Sequence, residues 1–174
     1  MSDASGEDRL GRAAALLGAG SAAAAAQLIR TLIDSGRGGL LARLALARAL
    51  AAAGETQAAL AEARETAMLH PGMALAQAAL GEALLAAEAL PVAIAEFQRA
   101  LRLDPDLASA RHGLGRAWLK AGEAQKALEI FSELTADDAP DLDTHSAAAE
   151  KMLNAPRSDA GYVRHLFDQF AVDY

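Results

Sequence analysis

The chain has 174 residues, a net charge of -7, a pI near 5.0, no cysteine, and 53 % hydrophobic residues, much of that alanine, against only 4 % aromatics. Scattered basic residues among more numerous acids argue against a nucleic-acid partner, and the absence of any uncharged apolar run of about 18 residues argues against a membrane span. Disulfides and thiolate chemistry are excluded, and the acidic start MSDASGEDRL lacks the basic and apolar regions of a secretory signal, so a cytoplasmic protein is expected.

Alanine is the strongest helix former and lets helices approach closely, whereas no sustained period-2 run of β-branched and aromatic residues appears. The chain therefore reads as all-α. Residues 1–5 are a disordered lead-in. Residues 6–39 form a first, degenerate unit: Leu10, Ala13, Leu16 and Leu17 give one helical stripe, and Ala25, Leu28, Ile29 and Leu32 give another. Gly18 to Ser21 is the turn between them, with Ser21 an expected N-cap.

Residues 40–73 form the second unit. Gly54 ends its first helix, Thr56 is expected to cap the next, and His70-Pro71-Gly72 stops it, since proline cannot continue a helix. Residues 74–107 form the third, with Pro91 in the first turn of its second helix, where the missing N–H costs nothing. Residues 108–141 form the fourth. Leu114 and Trp118 face inward from its first helix, and Ala127, Ile130, Phe131 and Leu134 from its second. A shift of about 34 residues superposes these units: Ala-Leu-Gly 79–81 on Gly-Leu-Gly 113–115 and Ala-Leu-Ala 45–47, Phe97 on Phe131, Pro105 on Pro71, and Glu88 on Gly54 and Gly122. Such a period signals stacked helix pairs, because one pair cannot bury its own apolar face.

Residues 142–153 read as a capping helix with Ala148, Met152 and Leu153 on its apolar face. Residues 154–174 read as a linker and a last helix. Its residues Tyr162, Val163, Leu166, Phe167 and Phe170 fall on one face and hold both tyrosines and half the phenylalanines.

The unit resembles the tetratricopeptide repeat. Leu80, Gly81, Leu84, Ala93, Phe97, Ala100 and Pro105 match its pattern in the third unit. Leu114, Gly115, Trp118, Ala127, Phe131 and a shifted Pro140 match it in the fourth, and Leu46, Ala47, Leu50, Ala59, Ala63 and Pro71 in the second. The resemblance implies a right-handed superhelical solenoid of antiparallel helix pairs, about four repeats long, whose concave face takes up a protein or peptide. Carried over by register, the groove positions are Leu41, Leu44 and Arg48, then Leu75, Ala78, Glu82 and Leu85, then Ser109, His112, Arg116, Leu119 and Lys120. Arg48, His112, Arg116 and Lys120 are expected to make the fourth-unit end basic, with Glu82 between them, which favours an acidic peptide.

Chemistry is not evident in the sequence. His70, His112, His145 and His165 have no metal-ligand spacing, so no metal site is expected. Asp104-Pro105-Asp106 and Asp137-Asp138 lack EF-hand spacing and read as turn formers and caps. The glycine-rich stretches follow no strand, which excludes a nucleotide loop. No nucleophile–base set appears, so neither a catalytic site nor a cofactor is expected. The segment from Tyr162 to Ala171 resembles the helix that joins such repeats to the catalytic domain of some bacterial S-adenosylmethionine-dependent methyltransferases. That resemblance implies the N-terminal region of a larger enzyme. The residues themselves are also compatible with a stand-alone scaffold that self-associates through Tyr162, Val163, Leu166, Phe167 and Phe170.

Overall fold

The computed structural model describes residues 4–154. The C-terminal face built on Tyr162, Val163, Leu166, Phe167 and Phe170 lies outside the described residues. Within them the chain is helical: α1 (Ala4–Gly18), α2 (Ala22–Leu32), α3 (Leu40–Ala52), α4 (Thr56–Leu69), α5 (Ala74–Ala86), α6 (Leu90–Leu103), α7 (Ala108–Lys120), α8 (Ala124–Phe131) and α9 (Leu142–Asn154). Helix α1 thus opens at Ala4, inside the expected lead-in. A π-type turn over Ile33–Arg37 extends α2. Each helix packs on the next in sequence, and the odd-numbered helices also stack, α1 on α3, α3 on α5, α5 on α7 and α7 on α9. This is the solenoid of antiparallel helix pairs that the 34-residue period predicts.

One turn geometry joins the two helices of every pair. Gly20, Gly54, Glu88 and Gly122 all adopt the left-handed conformation, at φ 76, 79, 60 and 84°. Each turn is closed by the same backbone bond spanning five residues: Ser21 to Leu16, Glu55 to Leu50, Ala89 to Leu84 and Glu123 to Trp118, with N···O distances of 2.8–2.9 Å. These are Schellman closures, which satisfy the carbonyls left free at a helix end. The following helices begin without side-chain help. Ser21 occupies the N-cap of α2, but its side chain makes no capping bond. Thr56 is not a cap at all: the N-cap of α4 is Glu55, and Thr56 opens the helix. The closing bond already fixes the chain direction, so a capping side chain is dispensable.

The helices stop where proline and aspartate require it. The amide of His70 bonds Thr66 at the end of α4, and Asp104 accepts from the amide of Asp106 after α6. After the short α8, Asp138 accepts from both the amide and the hydroxyl of Thr135 at 2.8 Å, which holds its carboxyl below the ordinary range.

Three apolar clusters follow one another along the solenoid. The first contains Ala13, Ile29, Leu32 and Leu50, the second is built around Phe97, Leu84 and Leu85, and the third contains Phe131, Leu134 and Leu142. Phe97 is fully buried, wedged between Gly81 of its own pair and Gly113 of the next; a Cβ on either glycine would lie within 3 Å of its ring. Phe131 presses in the same way on Gly115.

In α9 the inward face differs from the expected one. Leu142 and Ala149 are buried and His145 is half-buried, whereas Ala148 is exposed and Met152 and Leu153 remain 44 % and 47 % exposed. Three consecutive alanines, 147–149, carry no phase information, so a stripe drawn through Ala148 lies one position out of register.

Candidate functional site: the concave groove

Helices α3, α5 and α7 line a groove of about 550 Å³. Its wall is mostly alanine (Ala47, Ala51, Ala78, Ala79, Ala83 and Ala86) with Leu44 and Leu75 beside them. Small residues recurring every three to four positions on stacked first helices leave space that larger side chains would fill. Polar groups stand at the edges: Arg48 from α3, Glu82 from α5, and Ser109 and Arg116 from α7. Leu44, Arg48, Leu75, Ala78, Glu82, Ser109 and Arg116 all line this one groove. Leu41 lies farther toward the N-terminus, in a recess of about 310 Å³ shared with α1 and α2.

Other register positions fall elsewhere. Leu85 is 1 % exposed and belongs to the central core, because α5 turns that side toward the apolar cluster. Leu119 packs with Trp118 on the third cluster, and Lys120 is exposed outside the groove lining. His112 is buried beneath α9 and so is closed to a groove ligand. The alanines at 47, 51, 79, 83 and 86 were missed as site residues. Their signal was the i, i+4 series of small residues on the groove side of α3 and α5.

The expected run of positive charge is partly cancelled. One nitrogen of Arg116 donates to both carboxylate oxygens of Glu82, each at 3.1 Å, across one repeat period. Burial nonetheless raises the Glu82 carboxyl above its ordinary value, outweighing the attraction of Arg116; Asp141 adds to the rise and His145 opposes it. Arg48 is exposed and, among the described residues, makes no ion pair. The free positive charge of the groove therefore sits at the α3 end, not the α7 end.

A second constellation lies beside the α7 end. His112 Nε2 is 3.3 Å from His145 Nδ1, and the Asp141 carboxylate reaches 3.5 Å from His112 and 3.6 Å from His145. The Phe131 ring packs against both imidazoles, with centroids at 5.9 and 6.1 Å. Burial lowers the basicity of His112, an effect Asp141 opposes and Arg116 and His145 reinforce. The sequence spacing of the histidines does not suggest this contact. His112 and His145 are 33 residues apart, about one period, and stacking converts that separation into contact.

Tetratricopeptide-repeat family models match residues 44–108 and 84–152. No curated protein matches the chain in sequence. Among solved structures, a thermophilic tetratricopeptide-repeat protein of Thermus thermophilus superposes with a TM-score of 0.77 at 20 % identity, over 86 % of this chain and 83 % of that one. Repeats of a putative kinesin light chain from Podosopora anserina give 0.66 at 16 % identity, over 95 % and 92 %. MamA from Desulfovibrio magneticus RS-1 gives 0.59 at 19 %, over 89 % and 97 %. At these identities the likeness concerns the fold. No described helix is long and apolar enough to cross a membrane.

Proposed function

The chain belongs to the tetratricopeptide-repeat family over residues 44–152, and on that premise we propose that it is a non-catalytic scaffold that binds a peptide segment of a partner protein in the groove of α3, α5 and α7. The observation that carries this reading is the 550 Å³ alanine-lined groove with the exposed Arg48, unpaired among the described residues, in its lining. Such a surface suits a segment with medium-sized apolar side chains toward the alanines and an acidic residue toward Arg48. The test is a binding titration with labelled acidic and basic peptides of one apolar pattern. Arg48→Glu should weaken the acidic peptide mainly through on-rate and salt dependence. Ala51→Trp, on an exposed position of the wall, should block binding and leave stability unchanged. Binding unaffected by both substitutions would dismiss the groove.

The resemblance of Tyr162 to Ala171 supports a larger role for this scaffold, as the region of an S-adenosylmethionine-dependent methyltransferase that positions its protein substrate. The mass of the native protein in its source cells tests that role: a species larger by a further domain of about 100–200 residues is the expected result. A second reading rests on the exposure of Met152 and Leu153 at the end of α9, an apolar approach to the aromatic tail. It makes Tyr162, Val163, Leu166, Phe167 and Phe170 the contact between two copies, and a monomer at every concentration in light scattering would exclude it.

A further inference from the structure

The cluster of His112, His145 and Asp141 has the composition and spacing of a metal centre. Among the described residues, these three place one donor atom each within 4.8 Å of one another. They come from separate parts of the fold: His112 from α7, His145 from the first turn of α9, and Asp141 from the residue just before α9. The backbone bond from the His145 amide to the Asp141 carbonyl, 3.2 Å long, fixes the latter two relative to each other.

The separation of the two imidazole nitrogens suits a small tetrahedral ion. Zinc bonds nitrogen and carboxylate oxygen at about 2.0–2.2 Å, so the donors of a tetrahedral site stand about 3.3–3.6 Å apart. The two imidazole nitrogens stand 3.3 Å apart, and Asp141 turns a different oxygen to each, Oδ1 at 3.5 Å from His112 and Oδ2 at 3.6 Å from His145, so one oxygen has to swing between them to complete a three-donor face. An octahedral ion with bonds of the same length would need donors only about 3.0 Å apart. Two imidazoles and one carboxylate also suit zinc-type cations better than calcium or magnesium, which prefer all-oxygen sets. The Phe131 ring packs on both histidines and restricts their rotation, while Asp141, 57 % exposed at its side chain, is free to turn one oxygen inward.

We propose that His112, Asp141 and His145 form a zinc-type divalent cation site that fastens α9 to the last repeat, with water at the fourth corner. Burial lowers the proton affinity of His112 and so favours the neutral form, whose lone pair can bind a cation. The pair formed by Arg116 and Glu82 next to the site leaves Arg116 partly neutralised, which limits its repulsion of the ion. The ion would join two elements that otherwise meet through small contacts around Leu142 and Ala149.

The test is a titration of the full, chelator-treated chain with zinc chloride alone, followed by calorimetry and thermal melting. One ion per chain and a melting temperature that rises with zinc concentration are expected. Cobalt(II) in its place should give the intense visible bands of a four-coordinate site. Asp141→Ala and His145→Ala, at solvent-accessible positions, should each weaken zinc binding at least about tenfold while the chain keeps its helical circular dichroism. His70→Ala and His165→Ala should leave it unchanged. Zinc binding to the parent no tighter than to the double variant Asp141→Ala, His145→Ala would overturn the site. Loss of binding in the His70 or His165 variants instead would do the same.

Discussion

Phe97 sits where Ile29, Ala63 and Phe131 sit in the other units. Gly81 and Gly113 flank Phe97 and Gly115 meets Phe131, whereas the equivalent register positions are Ala47 and Ala79 for Ala63 and Ala13 and Ala45 for Ile29. Both aromatic rings rest against glycine, whereas alanine stands at those register positions in the units of Ile29 and Ala63. Gly113→Ala would drive a Cβ to 2.3 Å from the Phe97 ring, which the packed core cannot yield. A loss of about 1–3 kcal/mol is expected from urea unfolding, and about 3–5 kcal/mol for Phe97→Ala. Glu88 offers the opposite opportunity. It holds the left-handed turn that glycine holds in the other pairs, at φ 60°. Glu88→Gly should raise stability by about 1 kcal/mol by relieving that strain. Both the glycine–phenylalanine pairing and the odd glutamate could be read by laying the units over one another, because the repeat forces equivalent residues into equivalent places.

At the level of elements, the period fixed which helices pair and stack, but not how α9 is turned. Its alanine run offers no phase, and Leu142, His145 and Ala149 face inward because they meet Phe131 and Leu134. Contacts one period apart were hidden for a related reason. Register places Glu82 and Arg116 in one groove without pairing them, and sequence spacing leaves His112 and His145 unlinked; stacking α5 on α7 and α7 on α9 makes them partners. The stacked Glu82 has a consequence for pH. Its pKa is raised, so its favourable contribution is present below the ordinary glutamate value and is lost as pH rises through the raised one. Arg116, Asp141 and His145 are the charges that face it. The stability of Glu82→Gln relative to the parent should therefore improve as pH rises through that range, as paired urea titrations at acid and neutral pH would show. A difference independent of pH would mean that Arg116 offsets the burial of the carboxylate.

Among the described residues the molecule is three clusters in series and not one core, and helices α2 to α8 start without side-chain caps. Each pair relies on its neighbours, as in any array with nearest-neighbour coupling. The pair α5–α6, covered on both sides and centred on Phe97, should exchange its amide hydrogens most slowly, and α1 and α9 most quickly, in a residue-resolved exchange experiment. Uniform protection along the chain would show a single cooperative unit instead. The alanine wall of the groove bears on thermodynamics in a different way. A methyl group has no rotamers to lose, so a segment settling onto Ala47, Ala51, Ala79 and Ala86 immobilises its own side chains and none of the receptor's. Calorimetry of such an encounter should show a negative heat-capacity change from the apolar area covered, with an ordering penalty set mainly by the incoming peptide and, on the receptor, by Arg48.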